Sequence, residues 1–177
     1  MSSSKPQARL HPPSGGKTFI LRLMIPADHD VVGRVGWESW RSTGPLDRGF
    51  SDPVVAQRVK DAFLRFPFHT DGPVVVAEMD GEVVGWGARG NESDTISDIW
   101  IAPNYQRRGI GGAILEHFCA LMRDEGLRQA RIATHQKNFS AIAVYKRRGF
   151  AIVWQGMERD GMTALEMPKV RLRRSLF

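Results

Sequence analysis

Gln106-Arg107-Arg108-Gly109-Ile110-Gly111-Gly112 is the stretch whose reading decides the fold, because a short apolar strand runs into it and an amphipathic helix runs out of it. The strand spans Ile96 to Ile101 and is closed by Pro103, which has no N–H for a sheet ladder. Downstream, Ile110, Ile114, Leu115, Phe118, Leu121 and Met122 recur at three- and four-residue spacings, which line one face of a helix. The first turn of that helix is therefore glycine-rich. Glycine lets backbone approach a ligand closely, and the unpaired N–H groups of a helix start, at the positive end of the dipole, suit a pyrophosphate. Arg107 and Arg108 add fixed positive charge beside them.

A second motif lies about thirty residues downstream: Asn138-Phe139-Ser140-Ala141 leads through Val144-Tyr145 to Gly149-Phe150. Together the two runs resemble the acyl-CoA loop and the following Asn-x-x-Ala-x-x-x-Tyr-x-x-x-Gly-Phe segment of the GCN5-related N-acetyltransferase (GNAT) family. The resemblance extends over residues 18 to 167 and is specific from Thr95 to Phe150. It implies an α/β chain with a single-domain acyl-CoA N-acyltransferase fold: a mixed, mostly antiparallel sheet of about seven strands, splayed at the central strands and flanked by about four helices.

The remaining chain patterning agrees with that order. Met1 to Gly16 is rich in Ser, Pro and Gly and reads as a loose leader. Strands are expected at Thr18–Ile25, Pro73–Met79, Val83–Gly87, Ala130–Thr134, Phe150–Met157 and Met162–Met167, with a tight turn at Asp80-Gly81. Helices are expected from Pro26 to about Trp40, from Val54, capped by Asp52-Pro53, to about Phe66, and from Ser140 to Arg148. The expected organisation is a flexible basic leader over 1–17, the acetyltransferase domain over 18–167, and a basic C-terminal tail over 168–177. Gly85-Trp86-Gly87-Ala88-Arg89-Gly90 matches a dinucleotide fingerprint, but another strand follows it where the phosphate-binding helix is required.

Composition narrows the function classes. At 177 residues and 42% apolar content, one soluble domain is expected. No apolar run approaches the roughly 20 residues of a membrane span, and no secretion-signal core is apparent, so the expected compartment is the cytoplasm. A single cysteine, Cys119, makes no internal disulfide, and no Cys/His cluster has zinc-site spacing. The net charge of +6 is concentrated at the ends: Lys5, Arg9, Lys17, Lys169, Arg171, Arg173 and Arg174 stand there without acids. Taking these seven from the 25 basic residues leaves 18 against 19 acidic ones, a body with no basic surface of the kind nucleic acid binds.

The resemblance also assigns roles. Backbone N–H groups from Arg108 through Gly109, Ile110 and Gly111 to Gly112 would hold the pyrophosphate of acetyl-CoA, with Gln106 and Arg107 in the same loop. The Ile99-Trp100-Ile101 backbone would hydrogen-bond pantetheine, with the Ile99 N–H polarising the acetyl carbonyl. Tyr145 stands where the family places the phenol that protonates the departing thiolate. Asn138 would contact the cofactor or cap the next helix, and no metal is implied. Asp98 is the candidate base or amine anchor, against a rival ion-paired or water-ordering role. Strict alternation groups Asp98 with Ile96 and Trp100, but a bulge would change that parity. Family members that acetylate polyamines carry an acidic pair where this chain has Ser97 and Asp98.

His135 reads as a hydrogen-bonded structural histidine ahead of a base acting through water. Trp37, Trp40, Phe50, Phe66, Phe68 and His69 read as core ahead of an acceptor pocket, and Asp47 and Asp52 are candidate holders of a cationic amine. The expected reaction is acetyl transfer to a primary amine, a small molecule ahead of a protein. Protein N-terminal acetylation and a non-catalytic acyl-CoA-binding regulatory module stand as alternatives. Membrane and nucleic-acid partners are not expected, and a homodimer is consistent with the family.

Overall fold

The computed structural model describes residues 18–44 and 46–177, so the leader over 1–17 lies outside the described residues. Seven strands and four helices follow the expected order. They are β1 (Phe19–Leu23), α1 (His29–Ser42), α2 (Pro53–His69), β2 (Val74–Met79), β3 (Glu82–Arg89), β4 (Thr95–Ile101), α3 (Ile110–Asp124), β5 (Gln129–His135), α4 (Phe139–Arg147), β6 (Ala151–Arg159) and β7 (Glu166–Ser175). They form one sheet ordered β1-β2-β3-β4-β5-β7-β6, in which β4 and β5 run parallel and every other described pair antiparallel.

Alternation along the strands divides the core into two layers. Val74, Val76, Trp86 and Ala88 face α1 and α2 through Val32, Val35, Trp40, Val55, Val59 and Phe63. Val75, Ala77 and Ile96 face α3 and α4 through Ile110, Ile114, Phe118 and Tyr145. Cys119 is fully buried in this second layer, as its place on the apolar face of α3 requires. Helix α2 runs past the expected end near Phe66 to His69, with a buried Pro67 in its last turn. Packing of the ring holds a turn that has lost one ladder donor.

The C-terminal reading needs correction. Residues 168–177, expected as a basic tail, lie largely in β7, and the strand expected over Met162–Met167 is mostly a loop. Strand β7 is internal: it pairs with β5 from Gln129↔Ser175 to His135↔Lys169, and with β6 on its other side. The physical reason is legible in hindsight. Met167, Val170 and Leu172 are buried, while the intervening cations find acids and rings at the surface. Arg171 donates to Glu158 at 2.9 Å and covers the Trp154 ring at 4.6 Å; Arg174 donates to Glu116 at 2.7 Å. A high density of arginine masked a period-two strand.

Candidate functional site

The site begins where β4 and β5 part. Both strands have seven residues, yet only Thr95↔Arg131 and Ile96↔Ile132 are paired. Asp94 pins that closed end: it accepts from Arg131 Nε at 2.9 Å and Gln129 Nε2 at 2.8 Å, while the Arg131 N–H donates to the Asp94 carbonyl at 2.8 Å. Desolvation opposes ionisation of Asp94, but the Arg131 and Gln129 hydrogen bonds prevail and hold its pKa below the usual range. Asp94 is thus engaged in structure.

Beyond Ile96 the strands diverge, and a bulge determines what faces the gap. The β3 register passes from Ala88↔Asp98 to Arg89↔Ile96, leaving Ser97 as the extra residue. The bulge resolves the parity left open by the sequence. Ile96, Ile99 and Ile101 join the α3 layer, while Trp100 joins the α1–α2 layer, its indole 5.0 Å from Phe63. Asp98 shares the side of Trp100, whose Nε1 donates to Asp98 Oδ1 at 2.9 Å.

The same alternation orients the peptide groups. The Ala102 N–H donates to the Val84 carbonyl on β3 at 2.9 Å, so Trp100 and Asp98 also direct their peptide groups to β3. Ile99 and Ile101 direct theirs into the splay. Of the three residues Ile99, Trp100 and Ile101, the outer two therefore offer backbone groups to the gap. Gln106 Nε2 donates to the Ile101 carbonyl at 3.0 Å, tying the glycine loop to the strand.

At the open end, Gly109 caps α3 at φ 83° with no side-chain capping bond. Ala113 N–H donates to the Gly109 carbonyl at 3.0 Å, which leaves the N–H groups of Ile110, Gly111 and Gly112 as the open helix start. Arg107 also takes a left-handed conformation, φ 61°. Arg108 folds back, donating to the Asn104 carbonyl at 3.0 Å and covering the Tyr105 ring at 5.1 Å. From α4, Arg148 reaches the first turn of α3 and donates to the Gly112 carbonyl at 3.3 Å. Three open amides and two gap-facing peptide groups fit a pyrophosphate joined to an extended amide-containing arm.

Helix α4 closes the other side. Asn138 caps it, accepting from Ala141 N–H at 3.4 Å and donating to Thr134 Oγ1 at 3.0 Å, so both ends of its amide are engaged within the protein. That cap aims Tyr145, 8% exposed, into the layer beneath the splay. Burial, and then the Asp98 carboxylate, raise the Tyr145 phenol above its ordinary pKa. Desolvation pushes Asp98 up as well; hydrogen bonds from Trp100 and Ser97 oppose this, and the charge of Asp160 adds to it. Asp98 thus lies with Trp100 on the α1–α2 side of the sheet and Tyr145 in the α3–α4 layer, and burial raises the pKa of both.

Sequence reasoning missed the wall beside Asp98. The loop after β6 is organised by Asp160, which accepts from Met162 N–H at 3.1 Å and Thr163 N–H at 2.7 Å and pairs with Lys169 at 2.8 Å. Asp160-Gly161 carried a turn signal, but nothing in it announced a neighbour of Asp98. Asp52 instead caps α2 through Val54 N–H at 2.8 Å. Trp37 stacks on Trp40 at 5.6 Å and Phe50 lies tilted against Trp40 at 5.1 Å, with Trp40 buried as expected of core.

A β4–β5 splay, an uncapped glycine helix start and a buried tyrosine on the following helix are features of acyl-CoA-binding transferase folds. A family model described as Acetyltransferase (GNAT) family matches residues 19–150, and the chain belongs to that family. It is 31% identical over 103 residues to streptothricin acetyltransferase of Streptomyces lavendulae, covering 52% of this chain and 54% of that protein. It is 27% identical to mycothiol acetyltransferase of Cellulomonas flavigena, covering 92% of this chain and 51% of that protein. The chain thus spans about half the length of these two relatives. The structure of yncA, a putative acetyltransferase from Salmonella typhimurium with acetyl-CoA, superposes with a TM-score of 0.68 over 90% of this chain and 95% of that one, at 17% identity. No helix among the described residues is long and apolar enough to cross a membrane.

Proposed function

We propose that this protein is an acetyl-CoA-dependent N-acetyltransferase acting on a primary amine, with a small molecule as the acceptor. The observation that supports the reading is the splay itself, where the Ile99 and Ile101 peptide groups face the gap beside the open start of α3. Acetyl-CoA supplies the activated thioester when bound. The N–H groups of Ile110, Gly111 and Gly112 hold its pyrophosphate, and the Ile99 and Ile101 peptide groups hold the pantetheine arm as an added strand would be held. The Ile99 N–H stabilises negative charge developing on the acetyl oxygen.

Asp98 receives the proton from the attacking amine, directly or through one water; its raised pKa suits a carboxylate that must both accept and release a proton. Tyr145 donates a proton to the departing sulfur. Burial raises its pKa further, so the phenol is neutral and carries its proton at neutral pH. Asn138 and Gln106 act at one remove, fixing α4 and the glycine loop.

The test is free thiol release from acetyl-CoA with a panel of small primary amines and peptides, wild type beside Tyr145→Phe, together with calorimetric binding of coenzyme A. Turnover on small amines, diminished in the variant, is the expected result. Preference for peptides would move the acceptor to protein N-termini. Tight coenzyme A binding without turnover would favour the regulatory-module reading, and absence of coenzyme A binding would overturn the assignment.

A further inference from the structure

Of the polar side chains this chemistry leaves unused, His135 is held within the fold: its Nδ1 accepts from the Lys137 N–H at 3.0 Å, and its buried Nε2 faces Asp47 Oδ2 at 3.8 Å. Arg148 is held more loosely. It is the C-terminal cap residue of α4, yet its guanidinium crosses to the first turn of α3. Nη1 donates to the Gly112 carbonyl at 3.3 Å, a long bond, and lies 3.8 Å from Glu116 Oε1. That oxygen is already engaged at 2.7 Å by Arg174 Nη1. Among the described residues Nε and Nη2 of Arg148 have no partner, and the side chain is 38% exposed.

This is an unfavourable resting place for a lone cation. The first turn of a helix is the positive end of its dipole, where anions are stabilised and cations are not. Helix α3 has no acidic residue in that turn. The chain nevertheless makes room for the guanidinium: a Cβ on Gly112 would stand 2.7 Å from Arg148 Nη2 and 3.0 Å from Cζ. A cation admitted beside three open amides, with the Nε–Nη2 edge of its fork unpaired, is half of a phosphate site, because a phosphate takes two parallel N–H donors from arginine.

Coenzyme A carries phosphate in two chemical settings. The pyrophosphate goes to the N–H groups of Ile110, Gly111 and Gly112 at the end of the helix, whereas Arg148 lies on the α4-facing flank of the same turn. The other phosphate is the monoester on the ribose 3′ oxygen, one sugar away and close to doubly charged at neutral pH.

We propose that Arg148 is the ligand of the ribose 3′-phosphate, so that this protein distinguishes coenzyme A from 3′-dephospho-coenzyme A through one guanidinium set beside the start of α3. The proposal rests on the cofactor half of the reading above and adds which phosphate is recognised and by which residue. Glu116, shared with Arg174 of β7, keeps the guanidinium against α3 without satisfying it. Lys146 and Arg147, in the last turn of α4, are exposed and make no hydrogen bond among the described residues, so they add field but no held donor.

The test is calorimetric titration of coenzyme A and of 3′-dephospho-coenzyme A into wild type, Arg148→Met, Arg148→Lys and Arg147→Met. No acceptor amine is present, so the result is independent of turnover. Wild type is expected to bind coenzyme A about tenfold or more tightly than the dephospho form. In Arg148→Met the two ligands should bind within about twofold of each other, with the dephospho affinity unchanged from wild type. Arg148→Lys, charged but without a fork, should lose about threefold or more of the wild-type preference. Arg147→Met removes the same charge one residue away and should keep that preference. Wild type without preference, Arg148→Met weakening both ligands alike, or Arg147→Met matching Arg148→Met overturns the assignment and leaves the acetyltransferase reading in place. Should Arg148→Met fail to fold, Arg148→Lys decides, and an undiminished preference there overturns the assignment. Failure of wild type to bind either ligand overturns the reading itself, and the assignment with it.

Discussion

Removing one oxygen tests the mechanism at its narrowest point. In Tyr145→Phe the ring, its burial and its packing near Phe150, centroids 6.3 Å apart, are retained. Among the described residues no hydrogen bond to the Tyr145 hydroxyl is present, so its loss should change stability by about 1 kcal/mol or less. If the phenol protonates the departing thiolate, kcat should fall by about 10²–10⁴, or roughly 2.7–5.4 kcal/mol in the barrier. Acetyl-CoA affinity should stay within about twofold of wild type, because the open amides of α3 and the gap-facing peptide groups are untouched. The assay is thiol release under saturating acceptor, with calorimetric binding alongside. Replacing acetyl-CoA by a thioester of a more acidic thiol adds a second reading, since a better leaving group needs less help and the variant's deficit should shrink. Wild-type kcat, or a fall in affinity as large as the fall in rate, would refute the role.

Three further expectations follow from particular contacts. Asp98→Asn should reduce kcat about 100-fold at neutral pH and abolish an acid limb lying above the ordinary carboxylate range, where burial places the wild-type group; a limb that persists in the kcat profile of the variant refutes this. Gly111→Val should weaken coenzyme A binding at least tenfold, roughly 1.4 kcal/mol, with little loss of thermal stability, because a Cβ at Gly111 makes ordinary 3.7 Å contacts with Ile99 and Ile101; a fall in Tm with unaltered affinity would contradict it. Asp28, bonded by Arg22 at 2.7 and 3.0 Å, has its pKa lowered first by that hydrogen bond, against desolvation. A depressed folded pKa means its stabilisation is present above the ordinary aspartate value and disappears as pH falls through the folded one. Asp28→Ala should therefore cost about 3 kcal/mol in neutral denaturant titrations and progressively less as pH falls below the ordinary aspartate range, and a deficit that does not shrink with acidification would refute the linkage.

Legibility followed the range of the interactions. Ile110 to Met122 announced α3 because helix periodicity is a local property, and the glycines before it announced a close backbone approach for the same reason. Asp52-Pro53 marked the start of α2 through capping chemistry confined to a few residues. Residues 168–177 failed because arginine content was read as solvation, when the cations of a central strand had acids and a tryptophan waiting on other elements. Asp94 and Asp98 looked alike in sequence and differ in structure: one is tied to Arg131, the other accepts from the Trp100 indole.

The amino-acid sequence by itself determined the element order, the glycine-rich start of α3 and the family, since these depend on periodicity, backbone permissiveness and residues close together along the chain. Only the tertiary structure decided that Ser97 bulges, that Ile99 and Ile101 turn their peptide groups into the splay, that β7 lies between β5 and β6, and that Asp47 meets His135. Each of these depends on a partner many residues away. Strand register and the closing of one loop on another are set by the whole packed sheet, and no local pattern records them.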